Sequence, residues 1–415
     1  MKRSLRLPRI LRWVLVSLGV PAGTWAEPSG GVRLEAPLDY QVHQRVRRAS
    51  GTIRVAGTLG TGLDAGVVET RLRGAPGGGD WQLLTPLTAG QRTFHGSLEA
   101  PAGGWYGLEV RVRRDGEASA VAVARVEHVA VGEVFLVAGQ SNAANHGEER
   151  LQPRTGLVAT YDGRTWRPAW DPQPGASGNG GSFLPPLGDL LVEHFGVPVG
   201  WIALAAGGTS VREWLPVDRR FLNPPTVKAR VRQRADGLWE SDGALYQVLA
   251  GRLRTAGPLG IRAVLWHQGE SDANQADPSC TLAGADYLEH LRKLIVESRN
   301  DAGWRVPWFV ARASYHSPDD PGSEDIRAAQ RVICDDGLAI AGPDTDALTG
   351  AFRDSGGQGV HFSAAGLREH ALLWSRELAP WLERQLAEGS DQVDLDDAGH
   401  RGGRAQLREP ERSQP

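Results

Sequence analysis

The chain has 415 residues, with 46 Lys and Arg against 49 Asp and Glu and a net charge of -3. A balance this even excludes the basic footprint of a nucleic-acid-binding surface. The length allows two domains and a sizeable core.

Residues 1–26 read as a signal peptide. Lys2, Arg3, Arg6, Arg9 and Arg12 lead into a short apolar run, Trp13 to Val20, and Thr24 and Ala26 are small residues before Glu27. The run is too short to span a bilayer. Export, to the periplasm or outside the cell, is the expectation, with no membrane attachment after cleavage. Residues 27–128 alternate apolar and polar, as in Leu108-Glu109-Val110-Arg111-Val112, between Gly-rich breaks. Period two with frequent turns predicts a small all-β sandwich. Its expected role is packing against the next domain, with carbohydrate binding the alternative.

From 129 to 386 the texture changes. Val134–Val137, Val199–Ala203, Ala263–Trp266, Trp308–Ala311 and Leu338–Ala341 read as buried strands. Helical patterns fall near Leu187–Phe195, Leu245–Thr255, Ala285–Arg299, Glu324–Ile333 and Ala364–Leu386. The alternation predicts an α/β domain, a parallel sheet with helices on both faces. Residues 144–182 read as a long irregular connection, which is functional or disordered when it occurs inside a domain. Residues 387–415 are polar and read as a disordered tail. The two cysteines, Cys280 and Cys334, are expected to pair in an exported chain.

Four segments carry chemistry, each near a strand end or before a helix: Gly139-Gln140-Ser141-Asn142, Ala206-Gly207-Gly208-Thr209-Ser210, Trp266-His267-Gln268-Gly269-Glu270-Ser271-Asp272 and Gly359-Val360-His361-Phe362-Ser363. Open α/β sheets hold their ligands at the carboxyl ends of strands. A serine esterase needs a nucleophile, a base and donors for the oxyanion. Ser141 fits the nucleophile and His361 the base. The N–H groups of Ser141 and Gly207, with the Gln268 amide, fit the oxyanion hole. Asn142, Arg212 and Glu270 are candidate substrate contacts. Ala143 stands where the nucleophile elbow of α/β-hydrolases needs a glycine, so that motif is absent. His146-Gly147-Glu148-Glu149 lacks the helical His pair of a metal site, and neither metal nor cofactor is expected.

Gly-Gln-Ser-Asn at 139–142, Gly-Gly-Thr at 207–209 and His-Gln-Gly-Glu-Ser at 267–271 resemble the blocks of the SGNH hydrolases. Within these they resemble the sialate O-acetylesterase and acetylxylan esterase branch. The resemblance covers about 130–386. It extends weakly to Tyr40-Gln41-Val42-His43-Gln44-Arg45, which looks like the related N-terminal module. It implies a flavodoxin-like three-layer fold, no metal, and deacetylation of O-acetylated carbohydrates. It also implies Gln268 in the place of the oxyanion-hole Asn of wider SGNH enzymes. The family's acid stands three residues before the histidine, where this chain has Gln358. Asp354, Glu270, or a backbone carbonyl in a Ser-His dyad can take over, with Asp354 carried forward as the candidate. A carbohydrate-binding protein that kept the fold without turnover, or an esterase or lipase for other small esters, is the alternative.

Overall fold

The structure, a computed structural model, describes residues 31–63 and 65–388. The expected signal peptide and residues 389–415 of the expected tail lie outside the described residues.

Eight strands come first: β1 (Val32–Ala36), β2 (Gln41–Gln44), β3 (Ser50–Leu59), β4 (Gly66–Arg73), β5 (Gln82–Leu87), β6 (Thr93–Pro101), β7 (Gly103–Arg113) and β8 (Ala120–Gly139). The antiparallel sheet β1-β3-β6 packs Ile53, Val55 and Phe94 against Val68, Val110 and Val129 of the facing strands. β8 is the spine of the molecule. Up to His128 no residue is fully buried, and from Val129 to Gly139 every one is. Its first part pairs with β7, and Val129–Gly132 also pair with β2. Its last part pairs with β11 (Val199–Ala203) and β15 (Ala263–His267). The β-rich region therefore shares a strand with the α/β sheet. The position 128/129 falls inside β8, where no breaker interrupts the run.

The second part adds β9 (Val158–Tyr161), β10 (Trp166–Pro168), β16 (Trp308–Arg312) and β17 (Ile340–Asp344). A separate small sheet holds β12 (Arg220–Phe221), β13 (Val231–Gln233) and β14 (Trp239–Ser241). The order β9-β11-β8-β15-β16-β17 is parallel throughout, and β10 closes the edge antiparallel to β9. The whole sheet is thus mixed, which corrects the expectation of a parallel one. Residues 144–182 are also not wholly irregular, since they supply β9 and β10. Strands of three and four residues are too short to show a period.

Alternate side chains of β8 face opposite ways. Val134 and Leu136 pack under α2 (Ala244–Ala256), α3 (Gly284–Ala302) and α4 (Glu324–Asp335). Phe135 and Val137 pack under α1 (Leu184–Phe195) and α6 (Ala364–Glu388), the latter following one kinked turn, α5 (Asp354–Gly357). On α6 Ala371, Trp374, Leu378 and Leu382 form the buried stripe. Counting from β8, the strands β11-β8-β15-β16-β17 run 2-1-3-4-5, an order whose ligand crevice lies at the carboxyl ends beside the first strand.

The cysteines do not pair. Cys280 is buried in the turn Pro278–Cys280 and Cys334 lies in the last turn of α4, both free. Burial pushes the Cys334 thiol up to about 11. Each thiol is packed into its own element, which corrects the expected bridge.

Candidate active site

β8 ends at Gly139, where φ is 131° and a side chain would begin 2.0 Å from the His267 carbonyl. Only glycine lets the two strand ends close to this extent. Gln140 ties the same ends together. Its Oε1 accepts the Ser271 N–H at 3.0 Å and the Gln268 amide at 3.2 Å. Ser141 opens the 3-10 turn Ser141–Ala143, a position whose N–H has no acceptor within the turn.

Ser141 and His361 line one cleft of about 500 Å³ with His146, Gly208, Glu270 and His316. Asp354 reaches His361 through an antiparallel bridge in which Arg353 lies opposite Phe362. The Asp354 N–H donates to the His361 carbonyl at 2.9 Å. Asp354 Oδ2 comes to 3.7 Å from His361 Nδ1. Its Oδ1 is buried without a partner and rests over Gly359, where a side chain would begin 1.6 Å away. Arg353 locks this loop: its guanidinium donates to the Val360 carbonyl at 2.8 Å and lies between the Tyr315 and Phe362 rings. Gln358 is exposed. Glu270 instead lies 3.8 Å from His267 Nδ1.

Three expected contacts, Gln268, Arg212 and Asn142, are corrected, and a fourth, the Gly207 N–H, has an internal acceptor in this structure. Gln268 is fully buried, and its amide N–H groups face Asp272 Oδ2 at 2.7 Å, Gln140 Oε1 and the Thr209 carbonyl. Its donors are spent on holding the motif loops together, so it is not a free oxyanion donor. Arg212 is fully buried and donates to Ser210 Oγ, Asp272 Oδ1 and the carbonyls of Asn223 and Cys280. Four of its five N–H groups are so used, and the side chain is out of reach of a substrate in the cleft. Asn142 is buried and joins Glu270 Oε1, at 2.8 Å, to the Val360 carbonyl. It braces the histidine loop and does not line the cleft. The Gly207 N–H already donates to Ser177 Oγ at 2.6 Å. Glu270, the remaining expected contact, lines the cleft with its carboxylate on Asn142.

Three groups escaped the sequence reading. Asp272 is the buried hub that receives Ser210 Oγ–H at 2.5 Å, the Val211 N–H at 2.8 Å, Arg212 and Gln268. Its signal was its place at the end of the His-Gln-Gly-Glu-Ser block. His146 lies 5.2 Å from the His361 ring, and its Nε2 is 3.2 Å from Ser177 Oγ. Burial lowers the His146 pKa, and the neighbouring His361 charge lowers it further. His316 sits between Asp320 Oδ2 at 2.7 Å and the Glu270 carbonyl at 2.6 Å. His146 stands five residues after Ser141 in a stretch weighed above only as a metal site, whereas His316 reaches the cleft from a loop distant in the chain that no local pattern marks.

The family described as carbohydrate esterase, sialic acid-specific acetylesterase, matches residues 131–371. The chain belongs to this family. The match runs from the buried half of β8 into α6 and includes all four motif segments. It agrees with the resemblance carried by Gly139–Asn142 and His267–Ser271. Among solved structures, a carbohydrate acetylesterase from Xanthomonas citri is 17% identical, covering 84% of this chain and 76% of its own, with a TM-score of 0.49. A protein from Arabidopsis thaliana is also 17% identical, covering 60% of this chain and 98% of its own, at 0.41. A carbohydrate esterase family 2 enzyme with a carbohydrate binding domain, from Corynascus thermopiles (Myceliophthora fergusii), is 14% identical. It covers 85% of this chain and 99% of its own, at 0.35. No curated protein matches the chain.

Proposed function

We propose that the chain is an exported serine esterase that removes O-acetyl groups from carbohydrates of the sialate or xylan type, using a flavodoxin-like domain behind a β-rich layer. Ser141 Oγ attacks the acetyl carbonyl as His361 takes its proton, and Asp354 supports the imidazolium. The tetrahedral intermediate is held by the Ser141 N–H and by the Gly207 N–H once Ser177 Oγ yields it. His361 returns the proton to the departing sugar oxygen. Water, deprotonated by His361, attacks the acetyl–Ser141 ester, and acetate leaves as Ser141 regains its proton. Export rests on the basic and apolar pattern of residues 1–26.

The observation that carries this reading is that Ser141 and His361 line one cleft while Asp354 Oδ2 lies 3.7 Å from His361 Nδ1. The test is acetate release from 4-nitrophenyl acetate, acetylated xylan and O-acetylated sialic acid by wild type and Ser141→Ala. Ser141→Ala is expected to lose kcat down to the background rate with an unchanged melting temperature. Turnover within a few-fold of wild type removes Ser141 from the mechanism.

A further inference from the structure

We propose a second carbohydrate site, distinct from the Ser141 cleft, that binds a carboxylate-bearing sugar between the β-rich layer and the helical face. A cleft of about 550 Å³ opens there, with Gln41, His43, Arg54, Tyr161, Trp166 and Arg252 among its walls. Val134 also lines it. Val134 and Ser141 are separated by seven residues along an extended strand, roughly 20 Å at strand rise. The cleft therefore lies at the amino-terminal end of the parallel strands, away from the chemistry.

Charge identifies the ligand class. Among the described residues, the charged side chains lining the cleft are Arg54 and Arg252, and no Asp or Glu joins them. Arg54 is exposed and has no ion-pair partner among the described residues. Arg252 lies over the Tyr161 ring at 5.3 Å and has a carbonyl, that of Gly163, within 3.5 Å, but no carboxylate. Glu99 on β6 and Glu133 on β8 are engaged elsewhere. Glu99 accepts from Ser50 and Thr52, and Glu133 from Gln44, Arg45 and Arg262. Two guanidiniums without counter-ions in one cleft suit a carboxylate, which they can grip in bidentate fashion.

The rest of the wall suits a sugar. Tyr161 and Trp166 stack at 5.2 Å and are only half buried, which leaves apolar surface for ring C–H groups. His43 is 8% exposed, lines the same cleft, and its Nε2 has no hydrogen-bond partner. A buried polar atom left unpaired is unfavourable until something pairs it, and a sugar hydroxyl supplies that partner. An acidic glycan several sugars long could occupy this cleft while an acetylated unit elsewhere on the chain reaches Ser141.

The carboxylate has two possible sources, a uronate or a sialate, and the test separates them. Ser141→Ala protein is titrated calorimetrically with xylotriose bearing a 4-O-methylglucuronate branch, with sialyllactose, and with the neutral controls xylotetraose and lactose. At least one acidic ligand is expected to bind tenfold or more tighter than its neutral control. Adding Arg54→Gln and Arg252→Gln should erase that difference at an unchanged melting temperature. Equal binding of acidic and neutral ligands, retention of the difference in the arginine variant, or full displacement by an equal concentration of inorganic phosphate overturns the proposal. In the Ser141-containing background the two arginine substitutions should leave 4-nitrophenyl acetate turnover within twofold of wild type. The site concerns the carbohydrate that the esterase reading names, but binding is measured without turnover. Absence of 4-nitrophenyl acetate hydrolysis in wild type would sink the esterase reading alone, and loss of arginine-dependent binding would sink this one alone.

Discussion

In the proposed mechanism a single carboxylate, Asp354, separates a triad from a Ser-His dyad. Asp354 stands seven residues before His361 rather than three, yet the Arg353–Phe362 bridge turns it toward the ring. Asp354→Asn is expected to lower kcat about a hundredfold or more, with KM within a few-fold, because the imidazolium loses its counter-charge. Gln358→Asp should leave kcat within twofold, since Gln358 is exposed and the proposed mechanism already has its acid in Asp354. Steady-state kinetics of the two variants decide the matter, and a full-rate Asp354→Asn enzyme would restore the dyad. Ser177 makes a second residue-scale case. Its Oγ holds the Gly207 N–H at 2.6 Å, so the oxyanion must compete with a bond worth about 1 kcal/mol. Ser177→Ala should therefore raise kcat about threefold to fivefold, since RT ln 5 is about 1 kcal/mol. A fall in kcat would mean that the hydroxyl itself helps the reaction.

Short elements after the strands hold the cleft walls, and their electrostatics are tunable. The 3-10 turn Val211–Trp214 is fixed by a capping box between Ser210 and Glu213. The Ser210 N–H donates to Glu213 Oε2 at 2.8 Å. Burial raises the Glu213 pKa from 4.5 to about 7, with the Ser210 N–H and Arg230 opposing the shift. The folded state thus holds this proton more tightly than the unfolded chain. Its stabilising contribution is full below about pH 4.5 and is lost as pH rises through about 7. Glu213→Gln keeps an oxygen for Ser210 and removes the titration. Melting temperatures between pH 4.5 and 8 should show the wild type losing stability relative to Glu213→Gln as pH rises. Parallel profiles would show that Glu213 is not the titrating group.

Across the whole molecule, the two layers are joined by a buried charge cluster. Glu133 is fully buried on β8, 2.6 Å from Arg45 Nε and 2.7 Å from Arg262 Nε, with Gln44 completing its shell. Removing one member of such a cluster strands the others without counter-charge. Glu133→Gln should cost about 3 kcal/mol, read as a lower urea midpoint at constant slope. A loss below about 1 kcal/mol would mean that the arginines find other partners. The cluster also keeps β2 in register with β8, so the junction that forms the proposed acidic-sugar cleft should loosen with it.

Chain-local chemistry determined a good part of this protein. The apolar run from Val134, the stripe on α6 and the strand-end motifs were legible because strand and helix periods and glycine contacts act between near neighbours. Ser141 and His361, which the structure places in one cleft, are also marked by local blocks. Tertiary structure alone decided what those blocks face. In one dimension Gln268 resembles an oxyanion donor and Asn142 and Arg212 resemble substrate contacts, but each carries several hydrogen-bonding groups that the fold spends on Asp272, Glu270 and backbone carbonyls. Ser177 and His316 become neighbours of the site only when distant loops close, and no residue pattern encodes a distance across space. The continuity of β8 through position 128 was likewise undecided in the sequence. An alternating half and a half that is apolar but for Glu133 look like two strands until pairing partners on both sides make them one.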